Sequence, residues 1–140
     1  MRPILLGLPV AVMLGCNTST TLLPFPSLNG DWQLVFSGSN PATCVTIADG
    51  RVTALLSECI DPQPVISSTP VSITGNSVAF AYVLGGVRQT NAGLIAVEAN
   101  YQYLGTMQVD GSVSLNRLDT TTLNGAVINV FNDAVIMTRR

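Results

Sequence analysis

Apolar and polar residues alternate with a period of two along most of the chain after residue 28, and no window there repeats at 3.6 residues over three turns. Such alternation puts every second side chain on one face of an extended strand, so it predicts an all-β fold whose strands each bury one face. In the longest run, Ile95, Val97, Ala99, Tyr101, Tyr103, Met107 and Val109 share a face with Gly105, while Glu98, Asn100, Gln102, Thr106 and Gln108 take the other. The run is long for one strand, so Gly105, which has no side chain to pack, is expected to bend or bulge it. The same phase turns Trp32, Leu34 and Phe36 inward on a first strand, Val45 and Ile47 on a second, and Val52, Ala54 and Leu56 on a third. Val71 and Ile73, then Val78, Phe80, Tyr82 and Leu84, then Val113 and Leu115, and finally Val135, Met137 and Arg139 bring the total to about eight strands.

Turn chemistry orders these strands. Asp49-Gly50, Gly75-Asn76 and Asp110-Gly111 are dipeptides that supply the positive φ of a tight hairpin. Longer connections are expected at residues 37–42, 57–69, 85–93 and 119–124. If successive strands alternate in direction, the tight turns gather at one end and the long connections at the other. The second end, with Glu58, Asp61, Arg88, Gln89 and Asn91, is then the expected recognition surface, since loops on a rigid scaffold commonly carry function. Asn132-Asp133 offers an alternative turn that would add a ninth strand. Strands with one apolar face can close into a barrel or split into two packed sheets. Closure removes exposed edges, so an antiparallel up-and-down barrel is expected, with a two-sheet β-sandwich as the alternative. A barrel of this size is either filled by its side chains or holds one small ligand, and Phe80, Tyr82, Tyr101 and Tyr103 are the residues that would line such a cavity or fill the core.

Composition narrows the chemistry. Apolar residues make up 47% of the 140 and charged residues 10%, against about 25% charged in an ordinary soluble domain, so the chain can build a core. Its six basic residues are all Arg, against eight acids, which argues against nucleic acid as a partner. The absence of His removes the commonest general base and metal ligand. Asp31, Glu98 and Asp119 are the carboxylates an acid/base pair would need, and the strand pattern does not bring two of them together. With neither His nor Lys to activate a nucleophile, no catalytic residue, metal or cofactor is expected. The eight aromatics are scattered, without the girdles of a membrane-spanning barrel.

Residues 1–15 carry one charge, Arg2, and an apolar stretch too short to span a bilayer as a helix, which reads as an export signal. Met13-Leu14-Gly15-Cys16 resembles the lipobox of bacterial lipoproteins. That resemblance implies lipidation of Cys16 as the first mature residue, an anchor in a membrane of the cell envelope and, with Asn17 following, the outer membrane. Cys44 and Cys59 remain as a pair, and in an oxidising compartment a disulfide between them is expected. Residues 16–27, rich in Thr, Ser and Pro, read as a flexible tether, leaving residues 28–140 as the barrel domain.

Gly30-Asp31-Trp32 on the first strand and Arg139 on the last resemble the closing motif of the calycin and lipocalin group of small barrels. In that group the Arg packs across the Trp, and the fold commonly binds a small apolar ligand. Leu28, Gly30, Trp32 and Leu34 followed by Cys44 and Cys59 also resemble the opening of small periplasmic metalloprotease inhibitors, in which the segment before the barrel enters the protease. The expected function is therefore that of a non-enzymatic, lipid-anchored envelope protein. It would bind a small apolar ligand or an envelope protein through its loop end, or serve as an inhibitor-like or structural interaction module with a filled barrel.

Overall fold

Period-two alternation becomes ten antiparallel strands, and the described residues contain no helix. The computed structural model describes residues 27–38 and 41–140; Cys16 and the expected export segment lie outside the described residues. In chain order the strands are β1 (Gly30–Phe36), β2 (Thr43–Ala48), β3 (Arg51–Ser57), β4 (Asp61–Gln63), β5 (Val65–Ser68), β6 (Ser72–Thr74), β7 (Ser77–Thr90), β8 (Gly93–Met107), β9 (Val113–Leu123) and β10 (Ala126–Arg139). They form one sheet in the order β4-β3-β2-β1-β10-β9-β8-β7-β5, with β6 beside β7. First and last strands pair directly, Trp32 opposite Arg139 and Phe36 opposite Val135, so the meander curls into a nearly closed barrel.

The seam lies between β3 and β7 and is spanned by the three short strands of residues 61–74. Here β4 pairs with β3 while β5 and β6 pair with β7. Pro62, Pro64 and Pro70 lack the N–H of a ladder bond, which explains why this segment breaks into pieces. Arg51 bridges to Pro70, its guanidinium donates to the Ser68 carbonyl, and the Val71 N–H donates to the Gly50 carbonyl at 2.7 Å. The strand count thus exceeds the expected eight because residues 57–69, expected as a connection, contain β4 and β5.

The core follows the alternation. Trp32, Leu34, Val45, Ile47, Val78, Val113, Leu115, Val135 and Met137 are all buried, each contributing on the order of 1.5–3 kcal/mol of transfer free energy. Strand β3 departs from the expected phase. A bulge shifts its register against β2, so that Thr46 faces Ala54 while Ile47 faces Val52. Leu55 is therefore buried in place of Ala54 and Leu56. Val109 falls beyond β8 and is exposed.

Gly105 does not bulge: β8 keeps unbroken register against both β7 and β9. Its reason is space, because a Cβ there would lie 1.9 Å from the Ser114 carbonyl oxygen.

Asp49-Gly50 and Gly75-Asn76 make the expected tight turns. The third connection is longer than two residues: Gln108 N–H donates to the Ser112 carbonyl, and the Asp110 carboxylate accepts from the backbone and hydroxyl of Ser112. Residues 85–93 and 119–124 are not loops. Here β7 runs on to Thr90 and turns at Asn91-Ala92 into β8, while β9 runs to Leu123 and turns at Asn124-Gly125, both with positive φ, into β10. Tight turns therefore occur at both ends, and the expected separation of tight and long connections does not hold. Asn132-Asp133 lies within β10 and forms no turn, which leaves Arg139 beside Trp32.

Two outcomes test this packing. Gly105→Ala must push the β9 backbone aside and is expected to cost about 1–3 kcal/mol or more in urea unfolding, whereas Gly86→Ala, with open space around it, should change little. Replacing both Cys44 and Cys59 by Ser, which opens the loop between them, is expected to cost about 3 kcal/mol by the same measurement.

Candidate functional site

Three places could carry function: the end where Trp32 meets Arg139, the barrel interior at the opposite end, and the outer surface of the long strands. At the first, the Arg139 guanidinium lies 4.8 Å from the centre of the Trp32 ring, an interaction of about 0.5–2 kcal/mol. The Trp32 Nε1–H donates to the Leu28 carbonyl at 2.7 Å. Gly30 completes the arrangement, since its φ is +129° and a Cβ would stand 2.8 Å from the Arg139 Nη1. The Gly30, Trp32 and Arg139 constellation thus joins the first strand to the last, and a pocket of about 300 Å³ lies at the same end, lined by Leu28, Asn29, Gly50, Val71 and Ile73.

Cys44 and Cys59 are joined in a disulfide with Cα atoms 4.7 Å apart. The bridge fixes the start of β2 to the turn after β3 at the opposite end, and Glu58 and Asp61 sit beside it, exposed.

Inside the barrel near that end the four aromatic residues named from the sequence come together. Phe80 and Tyr103 stack with ring centroids 4.7 Å apart, Tyr82 and Tyr101 lie 5.2 Å apart, and the Tyr82 and Tyr103 hydroxyls share a hydrogen bond of 2.9 Å. Phe80, Tyr82 and Tyr103 are buried and Tyr101 is half-buried, so they fill the core. Burial, reinforced by Tyr103, pushes the Tyr82 hydroxyl well above its ordinary value, and burial raises Tyr101 and Tyr103 too. None of them can act as a base at neutral pH.

Over these rings sits a charged cluster that the sequence reading did not assemble. The Arg117 Nε–H donates to Asp133 Oδ1 at 2.8 Å and its Nη2–H to Oδ2 at 3.0 Å, a two-point ion pair. The same guanidinium lies 4.3 Å from the Phe36 ring centre and 5.6 Å from that of Tyr101. Asp119 is half-buried alongside, and its Oδ1 is buried without a hydrogen-bond partner. Burial raises its carboxyl above the usual range, against the opposing attraction of Arg117. The clue was the phase of β9, where Arg117 and Asp119 continue the inward series of Val113 and Leu115. Ending that strand at Leu115 hid both. Asp31 and Glu98 are exposed, Asp31 accepting from the Thr46 hydroxyl at 2.6 Å, so no two candidate carboxylates meet around a reacting atom.

The interior pocket left beside Arg117, Phe36 and Tyr82 has a volume of about 130 Å³, below the roughly 300–1,000 Å³ of sites for drug-sized ligands. A larger open groove of about 880 Å³ lies on the outer face of β7, β8 and β9, walled by residues 67–72. Its floor combines Ala79, Ala81, Leu104 and Leu118 with the amides of Asn100, Gln102 and Asn116.

Above the groove the sheet projects. Pairing of β7 with β5 stops at Leu84 and that of β10 with β1 at Val135, yet the four long strands continue as an extension of about 20 Å. Arg88, Gln89 and Asn91, expected in a loop, stand on its β7–β8 hairpin. Its outer face exposes Val87 (72%), Leu94 (68%) and Val130 (59%), and Leu104 (64%) is exposed nearer the groove, beyond Glu98 and Gln102.

The raised carboxyl of Asp119 sets the sign of a pH effect. An acid whose folded pKa is raised penalises the folded state above that pKa, and the penalty disappears as pH falls below the unfolded value, about 3.9. Asp119→Asn is therefore expected to stabilise the protein at pH 7 by a few tenths of a kcal/mol, the effect being limited by partial solvation, and to do less at pH 4. Urea midpoints at the two pH values check this; a loss of stability at pH 7 would instead mean that attraction to Arg117 dominates.

Among the described residues no group of His, Cys, Asp or Glu could hold a metal ion, and no helix is long and apolar enough to cross a membrane. No family model matches this chain, and no curated protein or solved structure matches it either.

Proposed function

We propose that this chain is a non-enzymatic, lipid-anchored protein of the bacterial cell envelope, held to the outer membrane through Cys16, whose lipocalin-like barrel is a scaffold for recognising a protein partner. The observation that carries this reading is a contrast: the interior pocket beside Arg117 measures only about 130 Å³, while large apolar residues stand exposed on the projecting strands. Exposed apolar residues, here densest at Val87 and Leu94, mark candidate interaction surfaces. Placement supports it too. The described chain enters the barrel at Ser27 and Leu28, where the Asn29 side chain accepts from the Gly50 N–H at the end closed by Trp32 and Arg139. A tether leaving from there would put the extension on the side away from the membrane.

A second reading has its own support. The outer groove, at about 880 Å³ with an apolar floor, has the volume of a small-molecule site. It would hold a small apolar ligand outside the barrel, where the sequence suggested a cavity within. The protease-inhibitor reading places its contact before Leu28, outside the described residues.

Titration with a fatty acid, followed by tyrosine and Trp32 emission, is expected to show no saturable change. One-to-one quenching that Leu104→Glu abolishes would establish the small-ligand reading instead. In intact cells, chemical cross-linking is expected to join the protein to an envelope partner, and the double variant Val87→Glu/Leu94→Glu should lose that product. Because both positions are exposed, its stability should stay within about 1 kcal/mol of the parent. Cross-linking unaffected by the double variant would remove the extension as the recognition surface.

A further inference from the structure

The extension ends on an open strand edge. Its β10 side has β9 on one flank and, above Val135, no strand among the described residues on the other. The last bond across that flank runs from the Ser37 N–H to the Ala134 carbonyl at 2.9 Å. Alternate residues of an antiparallel strand turn both backbone groups to the same side. Asn132 and Val130 therefore present N–H and C=O outward, as Ala134 does. Such a row is a template for another strand, and proteins usually blunt it with charge, Pro or a bulge. Residues 129–134 hold no Pro, and their one ionisable residue, Asp133, is already held by Arg117. A bulge at Ile128 limits the clean edge to residues 129–134. By contrast, the β7 edge of the extension carries Gly85, Gly86 and Arg88.

We propose that this edge pairs antiparallel with the same edge of a second copy, across a two-fold axis at Phe131. The inference goes beyond the recognition reading, because it uses the β10 edge and not the face of Val87 and Leu94. In this register Val130 faces Asn132 of the other copy, and these pairs exchange the outward backbone bonds. Phe131 then meets its own counterpart in a non-hydrogen-bonded pair, where Cα atoms approach to about 4.5 Å and side chains are closest. An identical strand matches this edge in polarity, setting Asp133 opposite Asn129 of the other copy, whereas a charged partner would find only Asp133, already paired with Arg117. An isologous interface also closes after two copies and so does not propagate into fibres. The paired segment is short, which places the interface at the small end, below about 1,200 Å², where association is reversible.

The test uses the full chain carrying Cys16→Ser, so that no lipid drives association. Sedimentation is expected to show the mass rising from monomer to dimer between about 1 and 300 µM. Under mild oxidation Phe131→Cys should form a cross-chain disulfide, and Val87→Cys on the other edge should form at most a tenth as much. Val130→Pro removes only the outward N–H and should abolish the dimer while the circular dichroism of the fold is kept; Val130→Asp serves if the proline variant does not fold. A monomer throughout the range, or equal cross-linking at residues 131 and 87, would overturn the dimer. A monomer that still cross-links to another envelope protein would refute this inference alone, whereas a dimer that makes no other contact would leave self-association as the only recognition.

Discussion

A meander becomes a barrel only if its first and last strands meet, and everything else in this fold depends on that meeting. Trp32 and Arg139 stand directly opposite one another on β1 and β10, with the guanidinium over the indole. Three local conditions make it possible. Gly30 leaves room for the guanidinium, Leu28 accepts the indole N–H, and the unbroken pairing of β10 with β9 beyond the bulge at Ile128 delivers Arg139 to the correct end. Remove the closure and β1 and β10 become facing edges, with Leu34, Val135 and Met137 between them open to water.

The opposite side closes by other means. Residues 61–74 hold β3 and β7 together through short ladders, the Arg51 bridge and the disulfide that anchors the turn before β4. Proline-rich sequence cannot supply a continuous ladder, so covalent and side-chain links replace part of it. A tightly filled interior is consistent with such a seam, since the core packing of Phe80, Tyr82 and Tyr103 supports the strands from within.

At the far end the design changes from closure to exposure. The Arg117 and Asp133 pair, with Asp119 and the rings of Phe36 and Tyr101, forms a polar lid over the core. A half-buried ion pair of this kind adds little net stability, because desolvation offsets most of the attraction. What it provides is a boundary: below it the inward face is apolar and packed, and above it the four long strands continue with both faces wet. The extension is thus a sheet without a core, carrying apolar side chains that the barrel does not need.

Periodicity determined the strand character and the inward residues of β1, β2, β7, β8 and β10, while the cysteine count pointed to the disulfide and a resemblance of motif, not alternation, pointed to Trp32 and Arg139. Tertiary structure decided the rest. Whether residues 85–93 and 119–124 were loops or strand could not be read from Gly, Thr and Asn content, since pairing with a neighbour overrides weak β propensity. The bulge that turns Leu55 inward and the cluster of Arg117, Asp119 and Asp133 both arise from register between neighbouring strands. A pattern along one strand fixes which side chains share a face; only the neighbouring strands fix how far that strand runs and what its charged residues meet.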